Sequence, residues 1–362
     1  MPISPTVKTR AKAKKKRKNI FICINAKYFV PLLRFFETML SINEIRRPIE
    51  EDFHVFERSY EAALNSENPL LRDMLTYLLA KRGKQIRPLL TLFAAKICHG
   101  ITDKTIQTAV ALELLHTASL VHDDVVDSSA KRRGMDAIQI RWGNKAAILL
   151  GDYMLSRVIN IVANIRNIKI LNIISELGSA LASGELLQLH ANSSMWIEEE
   201  QYYRVIESKT AKLFASCMEA GGESSCASMR QVSALRTFGL HLGMCFQIKD
   251  DIFDYFEDKA IGKPTGNDLR EGKVTLPLIY ALSKKDAPQH DEMVALAKKN
   301  ELSNEEIATL IEFAKNEGGI EYAYATMERL RNEAFAILDS YRERPVIDDF
   351  KTLFNYIIAR NK

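Results

Sequence analysis

The sequence predicts an all-α protein, and three observations carry that prediction. From about residue 50 onward, apolar residues recur at spacings of three and four, which is the period of a helix with a packed face. Alternating apolar and polar runs between turn signals, the pattern of half-buried strands, are absent. Glycine and proline number only 16 and 10 among 362 residues, fewer than all-β or doubly wound folds need for their turns.

The helical period covers most of the chain after the N-terminal region. It is found at residues 55–81, 103–127, 144–164, 168–190, 198–219, 229–257, 303–316 and 318–341. Many of these stretches are apolar on more than one face, as expected of helices inside a large bundle. Polar links with Gly or Pro separate them at 81–88, 128–136 and 258–273. No change of composition divides residues 51–362, so we predict one helical domain.

The N-terminal region differs in charge. Residues 1–36 contain no Asp or Glu, and residues 14–18 read "KKKRK", so the net charge of +4 describes this segment rather than the fold. We predict that residues 1–50 form a basic and partly disordered extension. A contact with anionic lipid or nucleic acid, or a targeting sequence, is the alternative interpretation.

The five cysteines indicate a reducing environment. Their number is odd and no CxxC occurs, so the sequence indicates neither a disulfide framework nor a zinc site. We therefore expect a cytoplasmic protein.

The stretch "LVHDDVVDSS" (120–129) places three aspartates inside an apolar helical run. Asp123 and Asp127 lie one turn apart on the same face, and Asp124 is adjacent. Like charges at this spacing destabilise a helix by about 0.2–0.5 kcal/mol per pair, and Asp is itself a poor helix former. A bound cation would offset that repulsion. Mg²⁺ fits, since it is held by one or two carboxylates together with substrate phosphates.

The same spacing occurs a second time. "FQIKDDIFDYFED" (246–258) carries Asp250, Asp251 and Asp254, again inside an apolar helical run. One such motif could be an exposed acidic helix end. Two of them in an all-helical chain predict two facing helices with acid on both sides of a cavity.

Basic residues follow or precede the acidic motifs in the polar links. They are Lys84, Arg87, Arg132, Arg133, Lys263 and Lys273. Such an alternation suits a site for two polyphosphate groups, since Arg offers a bidentate fork and Lys a point charge. "GKQIRP" (83–88) is not a P-loop, and no glycine-rich dinucleotide motif occurs.

With these motifs the chain resembles the trans-type polyprenyl diphosphate synthases, over roughly residues 60–360. The motifs that carry the resemblance are "GKQIRP" (83–88), "LLHTASLVHDDVVDSSAKRRG" (114–134), "GELLQL" (184–189), "SKTAKL" (208–213), "FQIKDDIFDYFED" (246–258) and "GKPTGNDLREGKVTLP" (262–277). The resemblance implies an isoprenoid-synthase-type helical bundle around a central apolar cavity, several Mg²⁺ ions, and usually a homodimer.

The resemblance also assigns residues. Asp123, Asp127 and Asp250 match direct metal ligands, and Asp124, Asp251 and Asp254 match supporting positions. Residues that match the isopentenyl diphosphate site are Lys84, Arg87 and His116, with Arg133 close by. Those that match contacts to the allylic diphosphate are Arg132, Lys209, Lys263 and Lys273. Thr210 and Gln247 match groups near the reacting carbons, and with Lys209 and the aspartates they are the predicted catalytic residues. Taken alone, His116 would be an ordinary core histidine.

Product length depends on the residues below the first motif. In the family, short-chain enzymes commonly place an aromatic residue where this chain has Ala118 and Ser119. Small residues there predict an open tunnel and a long all-trans product of the kind used as a quinone side chain. A C15–C20 product is the alternative if a deeper residue closes the tunnel.

Other protein classes fit less well. A class I terpene cyclase needs neither "GKQIRP" nor a second DDxxD. A non-catalytic subunit of a heteromeric prenyl synthase tends to lose aspartates, and none is lost here. No nucleic-acid partner is predicted, because the basic residues outside the tail do not form a stripe. A peripheral membrane contact for product release stays open.

Overall fold

The computed structural model describes residues 42–80, 83–191, 198–256, 265–299, 301–341 and 346–359, and these are almost entirely helical. The helices are α1 (Ile42–Arg46), α2 (Glu50–Ala63), α3 (Pro69–Leu79), α4 (Ile86–Cys98), α5 (Asp103–Val126), α6 (Ile138–Trp142), α7 (Asn144–Ile165), α8 (Ile168–Ala191), α9 (Glu199–Ile206), α10 (Lys212–Ser224), α11 (Met229–Phe253), α12 (Asn267–Arg270), α13 (Leu276–Ser283), α14 (His290–Ala297), α15 (Asn304–Asn316), α16 (Gly319–Leu338) and α17 (Ile347–Ala359). Short 3₁₀ turns lie at Arg47–Ile49 and Asp339–Tyr341, and a π-helical segment, Glu207–Ala211, joins α9 to α10.

Polar side chains define where the long helices begin. Thr102 caps α5 and exchanges hydrogen bonds with Thr105, so that both orphan backbone donors of the first turn are satisfied. Ser228 and Gln231 form the same capping box at the start of α11. These two helices, 24 and 25 residues long, carry the two aspartate motifs in their last turns.

The centre of the bundle is built around α5. It packs along α7, α4, α2 and α10, and its residues from Ala109 to Ala118 are all buried. In turn α10 packs against α4 and α11, and α11 packs against α16. Glycine permits the close crossing of α11 with the π-helical segment: a Cβ added at Gly243 would lie 2.5 Å from Ala211 Cα. A smaller core joins Tyr255 to the helices α13, α14 and α15.

Three sequence expectations change in detail. The stretch 55–81 is broken into α2 and α3, because Asn68 caps a new helix that begins at Pro69. The link 128–136 contains a minimal antiparallel hairpin, β1 (Lys131–Arg132) and β2 (Met135–Asp136), too short to show any period. Ile45 and Ile49, placed by the sequence in the basic extension, are buried in the main core, so the packed chain begins before residue 51.

The helix α7 has an apolar outer face. Within the described residues it is the one helix whose length and composition would allow it to cross a membrane, with 39% of its most apolar window buried. Its inner face packs on α5, where a Cβ at Gly151 would collide with His122. On its outer face Leu149 and Ile159 are 66% and 68% exposed. The helix is therefore apolar on two faces: the inner face packs on α5, and the outer face has no partner within the described residues.

Candidate active site

The first aspartate motif occupies the end of α5, and its three side chains have different surroundings. Asp123 and Asp127 lie close enough for the charge of Asp127 to raise the pKa of Asp123, as their spacing of one turn predicts. Asp127 is also the residue that ends the helix, and its N–H donates to the carbonyl of Asp123. Asp124 is buried and turned away from them, and it accepts hydrogen bonds from the guanidinium of Arg132.

Asp123 is the residue of the first motif whose pKa is raised by its surroundings. Burial raises its pKa to about 6, and Glu185 and Asp127 add to the rise, while Lys209 and Arg132 oppose it. Glu185, on α8, forms an ion pair with Lys209 at 3.1 Å. Three carboxylates, Asp123, Asp127 and Glu185, thus share Lys209 and an Arg132 that is already paired with Asp124, so the group has negative charge that a further cation could neutralise.

The second motif occupies the end of α11 and is more deeply buried. Asp254 accepts hydrogen bonds from the backbone N–H groups of Asn267 and Asp268, at 3.0 and 2.9 Å, and so holds the start of α12. Burial raises the pKa of Asp251 to about 8, with the charges of Asp268 and Asp250 adding to the rise. Burial and the neighbouring Asp254 also raise the pKa of Asp268 to about 6.

The two motifs meet at Lys273. Burial alone would lower its pKa, but a hydrogen bond and ion pair with Glu271 and the charges of Asp268 and Asp127 raise it. Asp268 neighbours the second motif and Asp127 belongs to the first. Lys273 therefore lies in the field of both, at the place where the ends of α5 and α11 come together.

Thr210 and Gln247 form part of a hydrogen-bond chain that reaches Asp251. The hydroxyl of Thr210 donates to Gln247 Oε1 at 2.8 Å, and Gln247 Nε2 donates to Asp251 Oδ1 at 2.9 Å. The other oxygen of Asp251 accepts from the phenol of Tyr202 at 2.6 Å. Thr210 and Lys209 lie in the π-helical segment, a feature common at functional sites.

The residues predicted for isopentenyl diphosphate gather deeper along α5. An added Cβ at Gly83 would lie 2.8 Å from Arg133 Nη2, so the loop before α4 meets the link after α5. The guanidinium of Arg87 lies over the ring of Phe214 at 6.0 Å, and Lys84 lies over Tyr356 at 5.9 Å. Arg87 and Arg133 both act on His116, which places three of the four predicted residues in one cationic group.

Two buried groups on α5 face this cationic group. Burial lowers the pKa of His116 well below its usual value, and Arg87, Arg133 and Arg132 lower it further, so the imidazole is neutral. Glu113, one turn earlier, has a pKa raised by burial and lowered by Arg87 and Arg133. Glu113 thus lies near both arginines, with burial as the dominant cause of its raised pKa, in a position that no sequence motif indicated.

The arrangement fits divalent ions that a substrate completes. Among the described residues, no three His, Cys, Asp or Glu side chains converge into a preformed metal centre. Carboxylates instead stand on two helix ends, with Asp123 held above its normal pKa by burial and neighbouring acid. Such a donor set suits Mg²⁺, which uses few protein oxygens and takes the rest from phosphate and water.

The structure brings predicted residues together in two groups. Asp123, Asp127, Lys209 and Lys273 form one group, and Arg87, Arg133 and His116 form another. Lys263 lies outside the described residues. Four participants were not predicted: Glu113, Glu185, Tyr202 and Asp268. Glu185 and Asp268 do stand inside quoted motifs, whereas nothing in the sequence marks Tyr202.

Comparison with known proteins identifies the family of this chain. The family model for polyprenyl synthetase matches residues 68–314. The octaprenyl diphosphate synthase of Haemophilus influenzae is 36% identical over 313 residues, which cover 85% of this chain and 93% of the relative.

Two solved structures share the architecture. A polyprenyl synthase from Caulobacter crescentus CB15, complexed with calcium and isoprenyl diphosphate, has a TM-score of 0.81 and 30% identity, covering 90% of this chain and 100% of that one. A geranylgeranyl pyrophosphate synthase from Bacteroides thetaiotaomicron has a TM-score of 0.75 and 40% identity, covering 87% and 98%. The predicted all-α prenyl synthase fold is confirmed, and the chain belongs to the polyprenyl synthetase family.

Proposed function

We propose that this chain condenses isopentenyl diphosphate with an allylic diphosphate to make a long all-trans polyprenyl diphosphate. The observation that carries the proposal is the presence of two separate groups that could each hold a diphosphate, the arginines around His116 and the aspartates and lysines around Asp123. His116, with Arg87 and Arg133, lies seven residues before Asp123, or about 10 Å along α5. Two diphosphates could therefore bind side by side without sharing ligands.

Divalent ions would be held by Asp123, Asp127 and Asp250, and when bound they would neutralise the diphosphate leaving group. Lys209 and Lys273 supply positive charge at the same place. The allylic C–O bond breaks, leaving a delocalised carbocation and pyrophosphate. The double bond of isopentenyl diphosphate forms the new C–C bond, and a proton then passes to pyrophosphate. The apolar walls exclude water that would capture the cation.

A long product is supported by small residues below the first motif and by the octaprenyl relative. Ala118 is fully buried, and Ser119 is half-buried with its hydroxyl donating to the carbonyl of His116. Each added CH₂ would be favoured by about 0.8 kcal/mol while the tunnel lasts. A C20 product is the second candidate, because the solved geranylgeranyl pyrophosphate synthase is 40% identical.

Product mass tests both candidates. With labelled isopentenyl diphosphate and Mg²⁺ we expect products longer than C20, and Ala118→Phe should shorten them to C15–C20 while the first condensation continues. Ala118→Gly is the matched control, and its products should be at least as long as those of the wild type. A wild type that stops at C20 would select the second candidate, and an unchanged length in Ala118→Phe would exclude this tunnel floor.

We also propose a homodimer through the outer face of α7 and the start of α8. The exposed apolar residues there are Ile148, Leu149, Ile159, Ile168 and Leu171. Five large apolar side chains on adjacent helices are more than a monomer ordinarily leaves uncovered. Light scattering should give twice the 41.1 kDa of one chain. A monomer that sediments with lipid vesicles would assign this face to a membrane surface instead.

A cytoplasmic location is part of the same proposal. None of Cys98, Cys217, Cys226 and Cys245, the cysteines within the described residues, takes part in a disulfide. Three of them are buried thiols, as expected in a reducing compartment.

A further inference from the structure

Tyr202 is a buried tyrosine on α9 that none of the sequence motifs includes. Its ring packs edge-on to Tyr203, and its hydroxyl donates to Asp251 Oδ2 at 2.6 Å. Tyr202 lies 49 residues before Asp251 in the chain, so this is a tertiary contact between α9 and the end of α11. A phenol buried this deeply retains its proton, since burial and the adjacent carboxylate raise its pKa.

The hydrogen bonds that follow all run in one direction. Because Gln247 donates its amide nitrogen to Asp251 Oδ1, its amide oxygen faces Thr210. Thr210 then commits its hydroxyl proton to that oxygen. Both oxygens of Asp251 are thus occupied by protein donors, and the chain ends at a threonine oxygen whose remaining lone pairs point away from Gln247.

The chain also passes from the interior to the surface of the site. Tyr202 and Asp251 are buried, whereas Gln247 and Thr210 are half-buried. Thr210 adjoins Lys209, which pairs with Glu185 beside Asp123. The buried end is therefore fixed by packing, and the accessible end lies next to the predicted allylic diphosphate.

We propose that Tyr202 and Asp251 are positioning residues that fix the direction of this chain, so that the negative ends of the Gln247 and Thr210 dipoles point toward the reacting carbons. The inference rests on the proposed function, in which an allylic cation develops there. Aligned dipoles in a dry site stabilise a developing charge without having to reorient. If Tyr202 lost its hydroxyl, Asp251 Oδ2 would lose its donor and the carboxyl group could rotate, so Gln247 and Thr210 would no longer be held in this orientation.

The test compares two neighbouring tyrosines in the full-length, Mg²⁺-loaded enzyme. Tyr202→Phe should lower kcat by about tenfold, less than the loss of a donor that touches the reacting group directly. The KM values for both diphosphates should stay within about twofold, since neither Tyr202 nor Asp251 contacts a predicted phosphate ligand. Tyr203→Phe is the matched control, because its phenol bonds with Glu199 and Thr326 rather than with Asp251, and its kcat should be unchanged.

A double-mutant cycle separates positioning from mere structural support. If Tyr202 acts through Gln247 on Thr210, Tyr202→Phe should lower kcat by no more than about twofold further in a Thr210→Val background. Independent effects would multiply instead, and that result would overturn the inference. Should Tyr202→Phe fail to fold, as judged by circular dichroism, Asp251→Asn is the second variant and should show the same loss of kcat and the same dependence on Thr210.

The outcomes distinguish this inference from the function beneath it. A wild type that consumes no isopentenyl diphosphate overturns both. An active wild type in which Tyr202→Phe equals Tyr203→Phe overturns only the role of Tyr202.

Discussion

The two aspartate motifs have identical spacing, yet their middle residues do different things. Asp124 accepts a charged guanidinium from Arg132, a residue whose side chain is 42% exposed. Within the described residues, Asp251 accepts hydrogen bonds from two neutral donors, Tyr202 and Gln247, and it is buried. The middle aspartate of the first motif therefore forms a salt bridge with a partly exposed arginine. The middle aspartate of the second motif belongs to a hydrogen-bond chain through the interior.

The comparison shows that DDxxD describes two separate tasks. The aspartates expected to bind cations are Asp123, Asp127 and Asp250, whereas the middle aspartates, Asp124 and Asp251, anchor their surroundings. Even the last aspartates differ, since Asp127 is exposed and Asp254 accepts from the backbone N–H groups at the start of α12. A shared spacing thus predicts a shared direction for the metal ligands, but it does not predict what supports them.

The largest expected effect tests what the motifs share. Asp123→Ala and Asp250→Ala should each lower kcat/KM by roughly a thousandfold or more, because each removes a charge that would hold the metal–diphosphate complex. Turnover would be measured with Mg²⁺, with circular dichroism as the check on folding. Asp291→Ala, at a fully exposed aspartate on α14, is the control. Near-normal turnover in both variants would contradict the metal assignment.

Substitution of the two middle aspartates should affect different quantities, stability for Asp124 and turnover for Asp251. Asp124→Asn removes the charge that pairs with Arg132, and we expect a loss of about 2 kcal/mol in the free energy of unfolding with modest change in kcat. Asp251→Asn should lower kcat by about tenfold, because an amide offers only one acceptor oxygen to the donors of Tyr202 and Gln247. Urea unfolding and steady-state kinetics would measure both. The same pattern in both variants would show that the motifs are equivalent after all.

The smallest expected effect is on the pH dependence of stability without metal. The pKa of Asp123 is raised to about 6 in the folded chain, so between about pH 4 and pH 6 the folded state binds more protons than the unfolded one. Stability from this group is full below pH 4 and is lost as pH rises through 6, by about 1 kcal/mol, because partial exposure screens the charge.

The measurement is the urea midpoint in the presence of a chelator. Asp123→Asn should be flatter than the wild type from pH 4 to pH 6, and excess Mg²⁺ should remove the difference. Parallel curves would mean that Asp123 is not under electrostatic strain.

Most of the architecture could be predicted because the helical period is strong and the caps are ordinary. The starts of α5, α7, α8 and α11 fall where the pattern places them. The break between α2 and α3 had its own signal, Asn68 before Pro69, which a reading of apolar spacing alone passes over. The two-residue strands of the hairpin are below the length at which any alternation can be seen.

The site residues that could be predicted were those whose chemistry is unusual in a helix. Clustered aspartates destabilise a helix through charge repulsion and low helix propensity, so their presence indicates a bound ligand. Tyr202 costs nothing in an amphipathic helix, and only the crossing of α9 with α11 reveals its partner. Glu113 is similar, since its counter-charges Arg87 and Arg133 come from other elements.

The π-helical segment Glu207–Ala211 adjusts the angle between two parts of one continuous helix. At 100° per residue, the eight steps from Tyr202 to Thr210 would leave them roughly 80° apart around an α-helix. A π turn holds more residues, so it takes back part of that angle and lets both side chains face α11. If the segment wound as a regular α-helix of the same length, the offset of roughly 80° would return and Tyr202 would turn away from Asp251, while every residue of the hydrogen-bond chain was still present. The segment is thus a phase adjustment, and the length of the helix is as much a part of the site as its side chains.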